Sequence, residues 1–347
     1  MRKKGVSYPL PPRTAPPWNP GPLHRIELAY QYHFRKKRPV ARNSLQLRPV
    51  KGAPAPLTRE DMPLVFLSHN ERRFMPSFFA HYRMMGVTRF ICVDDRSTDG
   101  SFEYVMAQED ADVFVSNVRY REAARGKIWR EKLFDLYGHD RWYLNVDSDE
   151  FLVFESFGKE SAWSFSRRLQ ERGILRYPAT MIDLYPATRL RAAVFDGRDE
   201  TMPWEVATHF DGVGYRLSLD NKGIRIRGGV RWRVFGVDVE LIKYPLIHWD
   251  HRCSLGTSIH RPLPGIFNFA PVMGCLLHFK FFSDFRQRTQ TAVRGGQHLN
   301  NAEVYRQIKH CLENDSNDGI CFACEDSLAY GGPEDLIERG FALPLAS

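Results

Sequence analysis

Apolar and polar positions fall into a regular alternation from Pro63 onward. Leu64-Val65-Phe66-Leu67 is a short apolar run bounded by Pro63 and by Ser68-His69-Asn70, and it reads as a buried strand. Met75, Phe78, Phe79 and Tyr82 follow at the i, i+3, i+4, i+7 spacing of a helix with one apolar face, and Gly86 supplies its stop. Arg89 to Val93 is the next strand, and Thr98 can cap a helix carrying Phe102, Val105 and Met106. Asp112 to Val115 is a third strand, Trp129, Leu133 and Leu136 mark another helix, and Trp142 to Val146 is a fourth strand. Strand–helix alternation at this period predicts an α/β domain with a mostly parallel sheet covered by helices on both faces. The second half is less regular. Ile174 to Tyr185, Leu241 to Trp249 and Cys275 to Phe282 read as strands between loops rich in Gly and Arg, and Glu303 to Leu312 as an outer helix.

The N-terminal part has a different texture. Residues 1–57 hold 11 of the 22 prolines, which block helix and sheet interiors. They predict an extended arm with one short helix near Arg25–Phe34. The chain divides accordingly into an arm (1–58), a main domain (59–315) and a C-terminal extension (316–347). Within the main domain, 59–155 is the regular half and 156–315 the less regular one.

Charge sharpens this division. Residues 1–59 carry 13 Lys/Arg and one acidic residue, a balance of +12; the rest carries 36 Lys/Arg and 40 Asp/Glu, a balance of −4. An acidic body argues against nucleic acid as a partner. The basic arm suits peripheral contact with an anionic membrane or with a phosphorylated acceptor, or is a solvated tail. No run approaches the roughly 18 apolar residues of a membrane-spanning helix. The basic N-terminus leads into a proline-rich stretch rather than a signal-peptide h-region. The six cysteines are scattered, with Cys321 and Cys324 a lone CxxC short of zinc ligands. The expected setting is the cytoplasm, with membrane association at the inner face as an option.

Two acidic clusters lie at the carboxyl ends of predicted strands: Asp94-Asp95 and Asp147-Ser148-Asp149. In open α/β sheets, ligands bind just outside those ends. Two carboxylates one residue apart at a strand end can face one hard cation, Mn2+ or Mg2+, which in turn bridges to substrate phosphates. Glu150 extends the cluster and Phe151-Leu152-Val153-Phe154 resumes apolar character, so the acids are pinned between two buried runs.

Pro63 to Gly100, with Asn70-Glu71 and Val93-Asp94-Asp95-Arg96-Ser97-Thr98-Asp99-Gly100, resembles the nucleotide-binding half of family 2 glycosyltransferases, although Arg96 stands where the signature usually has glycine. Asp147-Ser148-Asp149-Glu150-Phe151-Leu152 is similar to the metal motif of a bacterial branch of that family. Asp183-Leu184-Tyr185, Gly228-Gly229-Val230-Arg231, Lys243-Tyr244-Pro245-Leu246 and Leu277-His278-Phe279-Lys280 resemble later segments of the same branch. The resemblance covers roughly residues 62–310. It implies a GT-A type fold, a UDP- or GDP-sugar donor, Mn2+ or Mg2+, a glycan or lipid-linked acceptor, and transfer with inversion.

Carried over, Asp95 contacts the donor base, with Asn70 and Glu71 beside it. Asp147 and Asp149 hold ribose and metal, and Asp149 is the more direct ligand. Lys127 and Arg231 are candidates for the diphosphate; a surface lysine and a plain turn are the other readings. His278 is either a hydrogen-bonded core residue or a third metal ligand. Inversion needs a general base to deprotonate the acceptor. Asp183 is the first candidate, followed by Glu205, Asp238 and Asp250. Rival readings are a nucleotidyltransferase of similar fold and an inactive nucleotide-sugar-binding protein.

Overall fold

The computed structural model describes the chain apart from residues 1–4, 12–13, 15, 17, 19–20, 35–43, 53–55, 199–200, 257–258, 296–302, 314–319 and 346–347. The first elements are β1 (Val6–Tyr8), α1 (Pro22–Phe34) and β2 (Leu47–Lys51). The regular stretch gives β3 (Pro63–Ser68), α2 (Met75–Met84), β4 (Arg89–Asp94), α3 (Ser101–Ala107), β5 (Ala111–Ser116), α4 (Lys127–Tyr137) and β6 (Arg141–Asn145). The second half opens with β7 (Glu150–Val153), α5 (Ala162–Glu171), β8 (Arg176–Leu184), β9 (His209–Asp211), β10 (Tyr215–Asp220) and β11 (Gly223–Gly228). It continues with α6 (Gly229–Phe235), β12 (Ile242–Trp249), β13 (Gly274–Phe279), α7 (Phe285–Gly295), α8 (Glu303–Glu313), β14 (Ser327–Ala329) and α9 (Pro333–Glu338).

Nine strands form one sheet in the order β2-β5-β4-β3-β6-β12-β8-β13-β7. Successive side chains of β3 point to opposite faces, as the strand period requires. Leu64 and Phe66 enter one core with Phe78, Phe79 and Tyr82 of α2, while Val65 enters a second with Trp129 and Leu133 of α4. Both faces are therefore covered, as a continuous apolar run demands.

The sheet is mixed rather than mostly parallel. β5, β4, β3 and β6 run parallel, as do β8 and β13, but β2, β12 and β7 run against their neighbours. Helical crossovers enforce the parallel part. β7 follows β6 after only residues 146–149, too few for a crossover. That short link has a second consequence. β6 and β7 are separated by β12, β8 and β13 in the hydrogen-bonding order. In a flat sheet they would lie ~19 Å apart. The link spans at most ~17 Å when fully extended, so the sheet curls and carries Asp147-Ser148-Asp149 across its mouth.

The proline-rich segment does not stand apart as an arm over its described residues. β1 pairs with β10, and the Tyr8 hydroxyl donates to Thr180 Oγ1 at 2.8 Å. Trp18 Nε1 donates to the Ala270 carbonyl at 2.7 Å, and Leu28 of α1 is buried. Aromatic and apolar residues between the prolines thus dock the segment on the body. The basic run 35–38 lies outside the described residues. The C-terminal extension docks too: β14 pairs with β9, and Leu343 exchanges backbone hydrogen bonds with Met273. Among the described residues, no helix is long and apolar enough to cross a membrane.

Candidate functional site

β3, β4, β6 and β13 all end at the same sheet edge, and the loops beyond them surround a cleft of about 590 Å³. Ser68 to Glu71, Asp95, Arg119, Tyr120 and Asp147 to Asp149 line it from the first half of the chain; Phe279, Lys280, Asp284, Arg288 and Tyr305 line it from the second. Asp95 and the Asp147/Asp149 pair, more than 50 residues apart in sequence, therefore line one cleft.

The β3 and β4 loops are locked to each other. The Asn70 amide N–H donates to Ser97 Oγ at 3.1 Å, and Thr98 N–H donates to Asn70 Oδ1 at 2.7 Å. Ser97 N–H donates to Asp94 Oδ2 at 2.9 Å. Asn70 has φ of 56° and Arg96 has φ of 60°. Asparagine tolerates this left-handed region; arginine pays a steric cost of about 1 kcal/mol there. Arg96 occupies the signature's glycine position, so the loop keeps the glycine conformation without the glycine. Asn70 reaches the cleft, but its carbonyl oxygen serves the loop. Asp95 is buried, accepts from Arg119 Nε at 2.8 Å and from the Tyr120 N–H at 3.3 Å, and stays at the cleft wall. Glu71 pairs with Arg288 of α7. Burial pushes its carboxyl up despite that arginine, and the charge of Asp149 adds to the shift.

The Asp147–Glu150 turn carries the densest charge. Asp147 Oδ1 accepts from Arg130 Nη2 at 2.5 Å, and Oδ2 accepts from Lys243 Nζ at 2.7 Å. Lys243 also contacts Glu150, which is buried. Asp149 Oδ2 lies 3.4 Å from His278 Nε2 and 3.8 Å from Lys280 Nζ. Burial raises the Asp149 carboxyl, but His278 and Lys280 outweigh it and hold it well below the carboxylate range. His278 responds in the opposite sense: burial lowers it, yet Asp149 and Asp183 raise it above the ordinary imidazole value. Asp149, Glu150 and His278 present two carboxylate oxygens and an imidazole nitrogen within 4.8 Å of one another. This donor set fits a hard or borderline divalent ion, with the imidazole favouring Mn2+ over Mg2+. Glu150 stands in that grouping where the sequence suggested Asp147: one Glu150 oxygen meets Lys243 and the other accepts from the Asp147 N–H at 3.0 Å, while both Asp147 oxygens face cations.

Of the expected residues, Asp183, Arg231, Lys127 and His278 do not line the cleft, nor do the other base candidates Glu205, Asp238 and Asp250. Asp183 is buried, with Oδ1 on His278 Nδ1 at 2.5 Å and Oδ2 on Arg231 Nε at 2.7 Å. Burial raises its carboxyl, but Arg231 and His278 hold it at about 2. A carboxylate this acidic, with both oxygens occupied, orients His278 rather than taking a proton from an acceptor. Arg231 is engaged by that pair. Lys127 Nζ donates to the Gly256 carbonyl at 2.6 Å, tying α4 to a loop outside the cleft. Cys321 and Cys324 are exposed, and no metal-competent grouping forms around them among the described residues.

Arg119, Arg130, Lys243, Lys280 and Arg288 carry the site's positive charge, and sequence reading assigned none of them a role. A signal did exist for two. Lys243 interrupts the apolar run Leu241 to Trp249, and Lys280 interrupts Cys275 to Phe282. No protein-family model matches the chain, and no curated protein does either.

Proposed function

We propose that the protein is a metal-dependent glycosyltransferase of the GT-A type that moves a sugar from a nucleoside-diphosphate sugar to an acceptor hydroxyl with inversion. The observation that carries this reading is the convergence of Asp95, Asp147 and Asp149 on one cleft at the carboxyl ends of parallel strands. Asp95 and the β3–β4 loops face the nucleoside. Asp149, Glu150 and His278 would hold Mn2+ or Mg2+, whose chemistry there is to neutralise the diphosphate and stabilise it as a leaving group. Lys280 and Arg288 add fixed positive charge in the cleft, beside Asp149 and Glu71.

The base falls to a residue other than Asp183. Asp284 lines the cleft and has 36% of its side-chain surface exposed; among the described residues only its Oδ1 is engaged, by Arg73 Nη1 at 2.6 Å. Asp95 and Glu71 are more deeply buried. Asp284 is therefore the carboxylate placed to accept the acceptor's proton.

The test is release of nucleoside diphosphate from UDP- and GDP-sugars in the presence of Mn2+. Asp149→Ala abolishes release. Asp284→Asn slows it by about 10²- to 10⁴-fold while nucleotide affinity is kept. Release of sugar 1-phosphate instead, with the nucleotidyl group passing to added pyrophosphate, would mean nucleotidyl transfer, and binding without turnover on any donor would mean a binding protein.

A further inference from the structure

Every acid around the proposed cation position already has a cation of its own. Asp147, Asp149, Glu150 and Asp183 are matched by Arg130, Lys280, Lys243 and Arg231, with His278 between Asp149 and Asp183. Lys243 is the central member: it is buried and bridges Asp147 and Glu150, so it stands inside the carboxylate cluster itself. Its place is built into the strand. β12 loses register with β8 between Lys243 and Leu246, across Pro245. Such an irregularity re-aims a side chain out of the ladder.

The consequence is electrostatic. A lone divalent cation entering this cluster meets acids that are already neutralised, and a fixed ammonium a few ångströms away. Like charges at that range in a buried site repel one another. A cation arriving with UDP or GDP comes as a complex of net negative charge, and its phosphate oxygens face Lys243 and Lys280.

We propose that Lys243 is a tethered counter-ion that closes the carboxylate cluster in the resting protein and admits a divalent cation only together with an anionic diphosphate. This rests on the transferase reading above. Lys243 acts by positioning charge and is not assigned a bond-making step.

The test is Mn2+ binding to the full chain, read by loss of the free-ion electron paramagnetic resonance signal, with Mn2+ alone and with UDP or GDP added. Wild-type protein is expected to bind Mn2+ alone at least about tenfold more weakly than with nucleotide. Lys243→Gln, which keeps hydrogen-bond donors and removes the charge, is expected to bind Mn2+ alone about tenfold tighter than wild type. Lys243→Arg keeps the wild-type weakness, and Lys243→Met replaces the amide variant should that one not fold. Where nucleotide binds, equal Mn2+ affinity with and without it in the wild type overturns the proposal, whatever the variants do. So does a neutral variant that binds Mn2+ no tighter than wild type. Failure of both nucleotides to bind sinks the transferase reading instead, and the wild-type comparison with Lys243→Gln on Mn2+ alone still decides Lys243.

Discussion

Asp183 shows how a plausible local signal is reassigned by its surroundings. An acid after an apolar run and before a turn suggests a catalytic group, but the fold buries it between Arg231 and His278. Its carboxyl is held at about 2, below the unfolded value near 4. The stability this contributes is complete above pH ~4 and is lost as pH falls toward 2. Urea unfolding across this range tests the assignment. The stability gap between wild type and Asp183→Asn should be widest above pH ~4, and should narrow by about 2 kcal/mol on going to pH 2. A gap that stays constant with pH would place that carboxyl at its ordinary value. Residues of the Asp95 and Asp147–Asp149 kind were legible because acids that interrupt apolar runs at strand ends are a local pattern. Their cationic partners were not, because each comes from elsewhere: Arg130 lies 17 residues from Asp147, Lys243 lies 96, and Arg288 lies 217 from Glu71. Only the folded sheet edge brings them together.

At the scale of elements, β3 to β6 and their helices follow from periodicity, since each strand is a short apolar run and each helix a one-faced repeat. The reversed strands β2, β12 and β7 do not, because pairing direction depends on connection length and not on composition. The proline-rich segment is a further case. Its prolines predicted an extended arm, whereas Tyr8, Trp18 and Leu28 anchor it. One anchor is testable. Gly340 has φ of +77°, and a Cβ there would lie 1.7 Å from the Leu10 carbonyl oxygen. Leu10 N–H also donates to the Gly340 carbonyl at 3.2 Å. Neither backbone can yield cheaply, so Gly340→Ala should cost about 2 kcal/mol or more and expose the N-terminal segment to proteolysis. Unchanged denaturation and unchanged cleavage would show that this contact does not hold the segment.

For the whole molecule, curling of the sheet is the central event. It swings the Asp147–Glu150 turn across the mouth, closes the cleft with α7 and α8 from the second half, and gathers acids and bases from distant segments around one volume. The basicity of residues 1–59 is a separate feature: the cleft is built from near-matched charges, and the excess lies outside it. A cleft of this kind should stabilise the fold when filled, because a ligand that binds only the folded state raises the melting temperature. Thermal denaturation with UDP or GDP, with and without Mn2+, is the most direct measurement. At a hundredfold excess over the dissociation constant, the gain is about 2.7 kcal/mol. Mn2+ with at least one of these nucleotides should raise the melting temperature by several degrees, and Asp149→Ala should remove the metal-dependent part. A melting temperature that neither nucleotide moves, or a metal-dependent shift that survives in Asp149→Ala, would contradict a divalent cation held beside a diphosphate in this cleft.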